Sequence, residues 1–139
     1  MIITDTTQIL THLDKIHALI SGSYWAKQIP KSLLEKSIRN SLSFMSVDDE
    51  GQFQGFCRVI TDYATFAYLA DVIVTEQERG KGVAKTIMQS VMTHPELQGL
   101  RRFMLATADA HPLYSIFGFK AIEDPSILMQ INQPNLYAN

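Results

Sequence analysis

Four consecutive residues, Arg79-Gly80-Lys81-Gly82, combine positive charge with glycine between an apolar run and an amphipathic run. Glycine removes side chains that block close approach and permits positive φ, while the first N–H groups of a helix are unpaired and attract anions. Arg79 and Lys81 would add charge beside such an anion. The segment predicts a phosphate-binding loop; a tight strand-to-helix turn with two solvated cations would have the same composition.

Two common classes of phosphate-binding loop do not fit this segment. A P-loop requires Gly-x-x-x-x-Gly-Lys-Ser/Thr, and in RGKGVAKT the two glycine positions hold Arg79 and Ala84. The dinucleotide-binding motif requires a third glycine where this chain has Lys85. Both classes are therefore excluded.

The elements that must position this loop follow from hydrophobic periodicity. Helical spacing predicts helices over 5–20, from Pro30 to about Leu42, and from Val83 until Pro95 ends the pattern. HPLYSIFGF, residues 111–119, predicts a short helix. Strand-like runs are SLSFMSV, QGFCRVIT, TFAYLADVIV, RRFMLAT and two closing segments, FKAI (119–122) and ILMQI (127–131). The tail 132–139 is predicted to be frayed or an edge strand. This order predicts a mixed α/β sheet flanked by helices.

Bulk properties narrow the class of protein. A chain of 139 residues predicts one domain, 1–139, and 46% hydrophobic with 19% charged residues favours a globular fold over disorder. A net charge of −2 gives no general attraction to nucleic acid or anionic membranes. The single Cys57 excludes an intrachain disulfide, and His12 and His17 lack ligand partners, so no metal is expected. With no signal-peptide pattern and no long apolar run, we expect a cytoplasmic protein.

Two motifs together resemble a known family. Residues 77–82, QERGKG, match the Gln/Arg-x-x-Gly-x-Gly/Ala signature of the GNAT-type N-acetyltransferases, which bind the pyrophosphate of acetyl-CoA. Thirty-two residues after Gly82, LYSIFGF (113–119) resembles the second hallmark of that family, a tyrosine shortly before Gly-Phe. The resemblance covers about 42–122. It implies a mostly antiparallel sheet that is splayed at the cofactor site.

The resemblance also implies a set of cofactor contacts. The strand before the loop would bind the pantetheine arm through its main chain, and one of its N–H groups would polarise the thioester carbonyl. The loop would wrap the pyrophosphate. The implied residues are Val72, Ile73, Val74, Arg79, Gly80, Lys81, Gly82, Val83 and Ala84. Many relatives carry asparagine seven residues before the tyrosine; this chain has Thr107, which offers a single hydroxyl for that contact.

Tyr114 matches the position often assigned as the acid that protonates the departing CoA thiolate. Full proton transfer from a phenol to a thiolate is uphill by roughly 2 kcal/mol at ordinary pKa values, so hydrogen bonding describes the role better. The alternative is a packing aromatic beside Phe117 and Phe119. A general base is also needed, because a protonated amine cannot attack. Asp71 and His111 are candidates; the alternatives are a structural hydrogen bond for Asp71 and a helix cap for His111.

Four aromatic residues are candidates for the pocket that binds the acceptor substrate. The segment between the first two helices often lines the acceptor pocket in this family, and here it contains Tyr24 and Trp25. Tyr63 and Tyr68 are further candidates. Trp25 would serve equally as a core anchor, and Tyr68 fits a half-buried strand.

These residues predict an acyltransferase that moves an acetyl group from acetyl-CoA to a primary amine by direct attack in a ternary complex. Cys57 lies on an early hairpin, away from the expected thioester, which disfavours a covalent acetyl-enzyme. The alternative is a CoA-binding sensor or regulatory module without turnover. Acetyl-CoA and an amine are the expected partners, with no metal, nucleic acid or membrane. The oligomeric state, monomer or homodimer, stays open.

Overall fold

Five strands form one open sheet whose spatial order follows the chain, β1-β2-β3-β4-β5. The computed structural model describes residues 1–138. Three pairings are antiparallel and the last, between β4 and β5, is parallel. The strands are β1 (Ile2–Ile3), β2 (Leu42–Val47), β3 (Phe53–Thr61), β4 (Phe66–Val74) and β5 (Arg102–Leu105). The helices are α1 (Thr6–Leu10), α2 (Leu13–Ile20), α3 (Lys31–Arg39), α4 (Val83–Thr93) and α5 (His111–Ser115).

Helices cover both faces of this sheet. Successive strand residues point to opposite faces, and in β2 both Phe44 and Met45 are fully buried. Met45 belongs to the apolar cluster formed with α1, α2 and α3, which contains Ile9 and Leu34. Phe44 belongs to the cluster on the other face, with α4. The predicted mixed α/β sheet, mostly antiparallel and flanked by helices, is confirmed.

The first predicted helix is divided in two, so its single span over 5–20 is corrected. Asp5 caps α1 as the sequence indicates, because its carboxylate accepts the N–H of Gln8 at 3.0 Å. The Thr11 hydroxyl then donates to the Gln8 carbonyl at 2.7 Å, which favours a turn at Thr11–His12. The buried stripe continues across the break, since Ile9, Leu13 and Ile16 share one cluster.

The ends of the chain also differ from prediction. β1 is too short for a periodic pattern to reveal, and it pairs with β2 through Ile2 and Ile3. The two predicted closing strands, 119–122 and 127–131, are wrong for the structure described: neither segment pairs with another strand. Asp124 and Pro125 begin a 3₁₀ turn, Pro125–Ile127, which interrupts the predicted strand pattern. None of the helices between residues 1 and 138 has the length and apolar character needed to cross a bilayer.

Candidate active site

An opening between β4 and β5 forms the site. The two strands pair only from Phe66 opposite Arg102 to Leu69 opposite Leu105. β5 then ends, whereas β4 continues to Val74 with no partner on that side. A cavity of about 580 Å³ lies where the strands diverge. The splay that the family resemblance implied is therefore present, and it leaves the main chain of β4 accessible to a ligand.

A β-bulge in β4 lies at the start of this opening. Phe56 pairs with Ile73 and Arg58 pairs with Ala70, so Cys57 of β3 lies opposite two residues, Asp71 and Val72. Asp71 has φ of 57°, a left-handed conformation that aspartate tolerates better than most side chains. A bulge increases local twist and bends its strand. It thereby explains why β4 leaves β5 at this point and places Asp71 on the cavity wall.

Both carboxylate oxygens of Asp71 have partners. Arg58 donates from Nε to Oδ2 at 2.6 Å, and Trp25 donates from Nε1 to Oδ1 at 2.7 Å. The Asp71 and Arg58 side chains are only 8% and 18% exposed. These two donors occupy lone pairs on both oxygens of the partly buried carboxylate. These contacts favour the structural alternative for Asp71 over a free general base.

Aromatic side chains make up much of the cavity wall. Tyr24, Trp25, Tyr68 and Tyr114 all line it. The rings of Tyr24 and Trp25 meet edge to face, with centroids 5.0 Å apart. The Tyr24 hydroxyl accepts the N–H of Ala108, which follows β5, at 3.3 Å. The Tyr24–Trp25 segment therefore spans the opening, with Trp25 bonded to β4 and Tyr24 to the loop after β5.

Tyr114 is buried on α5 and faces the same cavity. Burial raises its pKa to about 12, with smaller contributions from Cys57, Tyr24 and Asp109. The neutral phenol is therefore a persistent hydrogen-bond donor and a poor acid. Burial likewise raises the pKa of the Cys57 thiol far above its ordinary value. A fully buried neutral thiol is not a nucleophile, in agreement with direct attack.

The glycine loop connects β4 to α4. Gly80 and Gly82 have φ of 79° and 81°, and no atom lies within 4 Å of where a Cβ of either would stand. Gly82 is the N-cap of α4, so the first N–H groups of this helix have no partner within the helix, and no side chain caps them. Arg79 donates from Nε to the Val74 carbonyl at 3.3 Å, and Lys81 Nζ lies 3.7 Å from Glu78 Oε2.

A second cavity, about 520 Å³, joins this loop to the opening. It is lined by Arg79, by Val72, Ile73 and Val74 of β4, and by Tyr24 and Trp25. The structure thus brings together the predicted strand and the first residue of the loop. Val83 packs in the core, so only its main chain is available, while Ala84 is half-buried.

Of the remaining predicted residues, His111 and Tyr63 lie outside the main cavity, whereas Thr107 lines it. His111 does not line the main cavity; it lines a separate one on the far side of β5. Tyr63 lies in the turn between β3 and β4 with φ of 63° and is exposed, lining none of the three cavities described. Thr107 lines the main cavity, and its hydroxyl accepts the Ala110 N–H at 3.0 Å before α5.

Arg58 was not predicted from the sequence. It lines the main cavity and bonds both Asp71 and the Ser41 hydroxyl. A signal did exist: Arg58 and Asp71 are lone charges in two successive strand-like apolar runs, and buried charges are usually paired. Among residues 1–138, no group of three or more His, Cys, Asp or Glu side chains is placed to hold a metal ion. The expectation of a metal-free site stays a prediction.

Comparisons with known proteins agree with this geometry. Residues 11–119 match the model of the Acetyltransferase (GNAT) family. A Gibberella zeae protein named "putative acetyltransferase" is 30% identical over 134 residues, covering 81% of this chain and 75% of the relative.

Solved structures show the same fold. A crystal structure titled as a putative acetyltransferase belonging to the GNAT family, from Xanthomonas campestris pv. campestris, is 46% identical with a TM-score of 0.95; the match covers 100% of this chain and 96% of that one. One from Deinococcus radiodurans R1 is 19% identical with a TM-score of 0.76, covering 99% and 91%, and supports the fold alone. The family match, the relatives and the splayed strands lead to one conclusion: this chain belongs to the GNAT acetyltransferase family.

Proposed function

We propose that this acetyltransferase moves an acetyl group from acetyl-CoA to a primary amine by direct attack within a ternary complex. The observation that carries the proposal is the opening between β4 and β5. The unpaired main chain of β4 forms one wall, and Tyr114 lies at the same cavity. Donors aimed at a developing oxyanion and a donor for the leaving group are what acyl transfer requires.

Acetyl-CoA would extend along β4 toward α4. The pyrophosphate would lie on the N-terminus of α4, where Gly80 and Gly82 permit close approach and Arg79 and Lys81 supply charge. The pantetheine arm would bond the main chain of Val72, Ile73 and Val74. The Thr107 hydroxyl already accepts from Ala110, which leaves its O–H free to donate to the cofactor. The cavity lined by Arg79 and these strand residues supports this path.

The chain's own residues have three roles in the reaction. A main-chain N–H of β4 polarises the thioester carbonyl as the amine nitrogen forms its bond to the carbonyl carbon. When the carbon–sulfur bond breaks, the Tyr114 hydroxyl donates a hydrogen bond to the departing thiolate. Asp71 positions Trp25 and Arg58, and because both its oxygens have partners we assign the amine proton to water in the open cavity.

The acceptor would enter between the aromatic side chains. Tyr24, Trp25 and Tyr68 form an aromatic wall that suits an ammonium group or its apolar carrier. Asp109 adds an acidic side chain to the cavity lining. Exposed Tyr63 does not support a role in this pocket. The cavity is open enough for a small amine, and a peptide N-terminus or lysine shares the same reactive group. A cytoplasmic setting, where acetyl-CoA is made available to enzymes, belongs to the same proposal.

Calorimetric titration with acetyl-CoA tests the cofactor site. We expect micromolar binding by the intact protein and loss of binding in Gly82→Glu, whose carboxylate would occupy and repel the pyrophosphate position. The matched control is Gly99→Glu, since Gly99 also has positive φ and open space but lines none of the three cavities described. No binding by the intact protein, or equal binding by both variants, would contradict the proposal.

Turnover is tested separately. Release of free CoA thiol is measured against a panel of small amines, amino-terminal peptides and lysine peptides. An amine that accelerates release at least tenfold over water identifies the acceptor class. Tight acetyl-CoA binding with no release for any amine would support the sensor alternative instead.

A further inference from the structure

Three charged side chains line the main cavity, and only one of them is uncompensated. They are Arg58, Asp71 and Asp109. Arg58 and Asp71 form an ion pair, with Nε 2.6 Å from Oδ2, so their fields largely cancel a short distance away. The negative charge that a ligand in the cavity would experience therefore belongs to Asp109. A cavity of this kind favours a cationic ligand over a neutral or anionic one.

The carboxylate of Asp109 is free to accept such a ligand. Asp109 lies in the segment between β5 and α5 and is exposed. Among residues 1–138 it takes part in no salt bridge, and no hydrogen bond reaches its side chain. Asp71, in contrast, has a donor on each oxygen. Of the two acids in the cavity lining, only Asp109 has its lone pairs available.

The main chain on both sides of Asp109 is anchored. The N–H of Ala108 donates to the Tyr24 hydroxyl at 3.3 Å, and the N–H of Ala110 donates to the Thr107 hydroxyl at 3.0 Å. These two bonds hold the backbone that carries the carboxylate at the cavity. A binding group that is already held in position loses little conformational freedom when its ligand arrives.

Aromatic rings stand beside this carboxylate. Tyr24, which is bonded to the residue before Asp109, meets Trp25 edge to face with centroids 5.0 Å apart, and Tyr68 lines the same cavity. The faces of aromatic rings attract cations. An unpaired carboxylate next to aromatic rings has the composition of an ammonium-binding site.

The nitrogen that Asp109 binds is not suited to be the nitrogen that attacks. Burial is the main cause of the raised pKa of Tyr114, and the Asp109 carboxylate adds to it, which indicates that the two side chains are close. A neighbouring carboxylate stabilises the charged form of an amine, and carboxylates are far weaker bases than alkylamines. An ammonium ion on Asp109 would therefore stay protonated, whereas attack requires a neutral amine.

We propose that the acceptor is a diamine, with one nitrogen that attacks the thioester and a second that remains an ammonium ion held by Asp109 beside the aromatic wall. The attacking nitrogen forms its bond to the carbonyl carbon and gives a proton to water, the carbon–sulfur bond breaks, and CoA leaves as the thiolate. The second nitrogen keeps its protons throughout. This inference rests on the proposed function, which it narrows from primary amines in general to dicationic ones.

The first test compares linear diamines of three to six carbons with the monoamines and ω-amino acids of the same length. Release of CoA thiol measures kcat/KM for each acceptor. We expect the best diamine to exceed its matched monoamine about tenfold, because a hydrogen bond to a charged group contributes about 1.5–3 kcal/mol. The matched ω-amino acid should be poorer still, since its carboxylate would be repelled by Asp109.

Substitutions assign this preference to Asp109. Asp109→Asn should lower kcat/KM for the diamine roughly tenfold, mainly through KM, because the contact is the same before and during attack. Asp109→Glu should keep the preference and move the optimum to a diamine about one carbon shorter, because its side chain is one methylene longer. The matched control is Asp49→Asn, which removes an exposed acid that lines none of the three cavities described and should keep the preference.

A binding measurement separates this inference from the reaction. Trp25 is the only tryptophan of the chain and lines the main cavity, so its fluorescence can follow titration with the diamine in the presence of CoA, where no acetyl group is transferred. We expect saturable binding that Asp109→Asn weakens about tenfold. Circular dichroism verifies that each variant is folded.

The outcomes are distinct. Diamine binding that depends on Asp109, without thiol release for any amine, would support the ammonium site and contradict the proposed reaction. Thiol release without a preference for diamines, or with a preference that survives Asp109→Asn, would overturn the diamine proposal and leave the reaction intact. Absence of saturable diamine binding would also overturn it.

Discussion

Tyr114 is buried and lines the main cavity, and these two properties limit what it can do in the proposed reaction. Proton transfer from a phenol of pKa about 12 to a thiolate whose acid has a pKa of about 8.5 is uphill by about 5 kcal/mol. In the proposed reaction Tyr114 would therefore act as a neutral hydrogen-bond donor. We expect Tyr114→Phe to lower kcat about 10–100-fold and to leave the affinity for acetyl-CoA unchanged, as steady-state kinetics and calorimetry would show.

The same burial predicts a pH dependence of stability. The folded pKa of Tyr114 is raised from 10 to about 12, so its stabilising contribution is complete below pH 10 and is lost as pH rises toward 12. Tyr114→Phe has no such group. In urea unfolding, the stability of the native protein relative to this variant should fall by up to about 3 kcal/mol across that window. Exposed Tyr63→Phe is the control, and a parallel fall in both variants would contradict the prediction.

We propose that Asp71 is a positioning residue, and Asp71→Asn tests this assignment. Asparagine tolerates the positive φ and keeps a bond from Trp25, but it leaves the partly buried Arg58 without a counter-charge. We expect a loss of about 2–3 kcal/mol in the free energy of unfolding, partly restored by adding Arg58→Met. The acid limb of the pH–rate profile should remain. If Asp71 were instead the general base, Asp71→Asn would preserve stability and abolish the acid limb of the pH–rate profile.

At the scale of elements, the glycine loop and the N-terminus of α4 together form the proposed pyrophosphate site. Gly82→Ala should lower the free energy of unfolding by about 1–2 kcal/mol, because φ of 81° is strained for alanine, and its methyl group would project toward the pyrophosphate. Gly99→Ala carries the same strain at φ of 73° but lines none of the three cavities described. Chemical unfolding should show similar losses in both variants, and calorimetry should show weaker acetyl-CoA binding only for Gly82→Ala. Equal affinities would place the pyrophosphate elsewhere.

Prediction from sequence succeeded where local pattern and packing agree. The helix after Gly82 and the runs that became β2, β3 and β4 have clear periodicity, and the structure contains them. The bulge opposite Cys57 has no sequence signature, because it depends on the register between β3 and β4. Asp71 was predicted as a candidate from its residue type and its place in the strand. Its bonds to Arg58 and Trp25, on which its proposed role depends, were not predicted. Contacts between residues far apart in the chain explain most of what was missed.

The closing segments fail for a different reason. FKAI and ILMQI have the composition of strands. Composition predicts that a segment favours strand pairing, but it does not identify the partner strand. In the structure neither pairs, and Asp124–Pro125 separates them. Strand propensity is a local property, whereas strand pairing depends on contacts between residues far apart in the chain.

At the scale of the whole molecule, the main cavity and the cavity of about 450 Å³ beside β5 share a wall. Tyr114, Leu105 and Thr107 line both cavities. Because protein interiors are close-packed, a change in the packing of the second cavity should shift the residues that line the first. The position of Tyr114 therefore depends on α5 and on the segment that follows it, and not on β4 and the glycine loop alone.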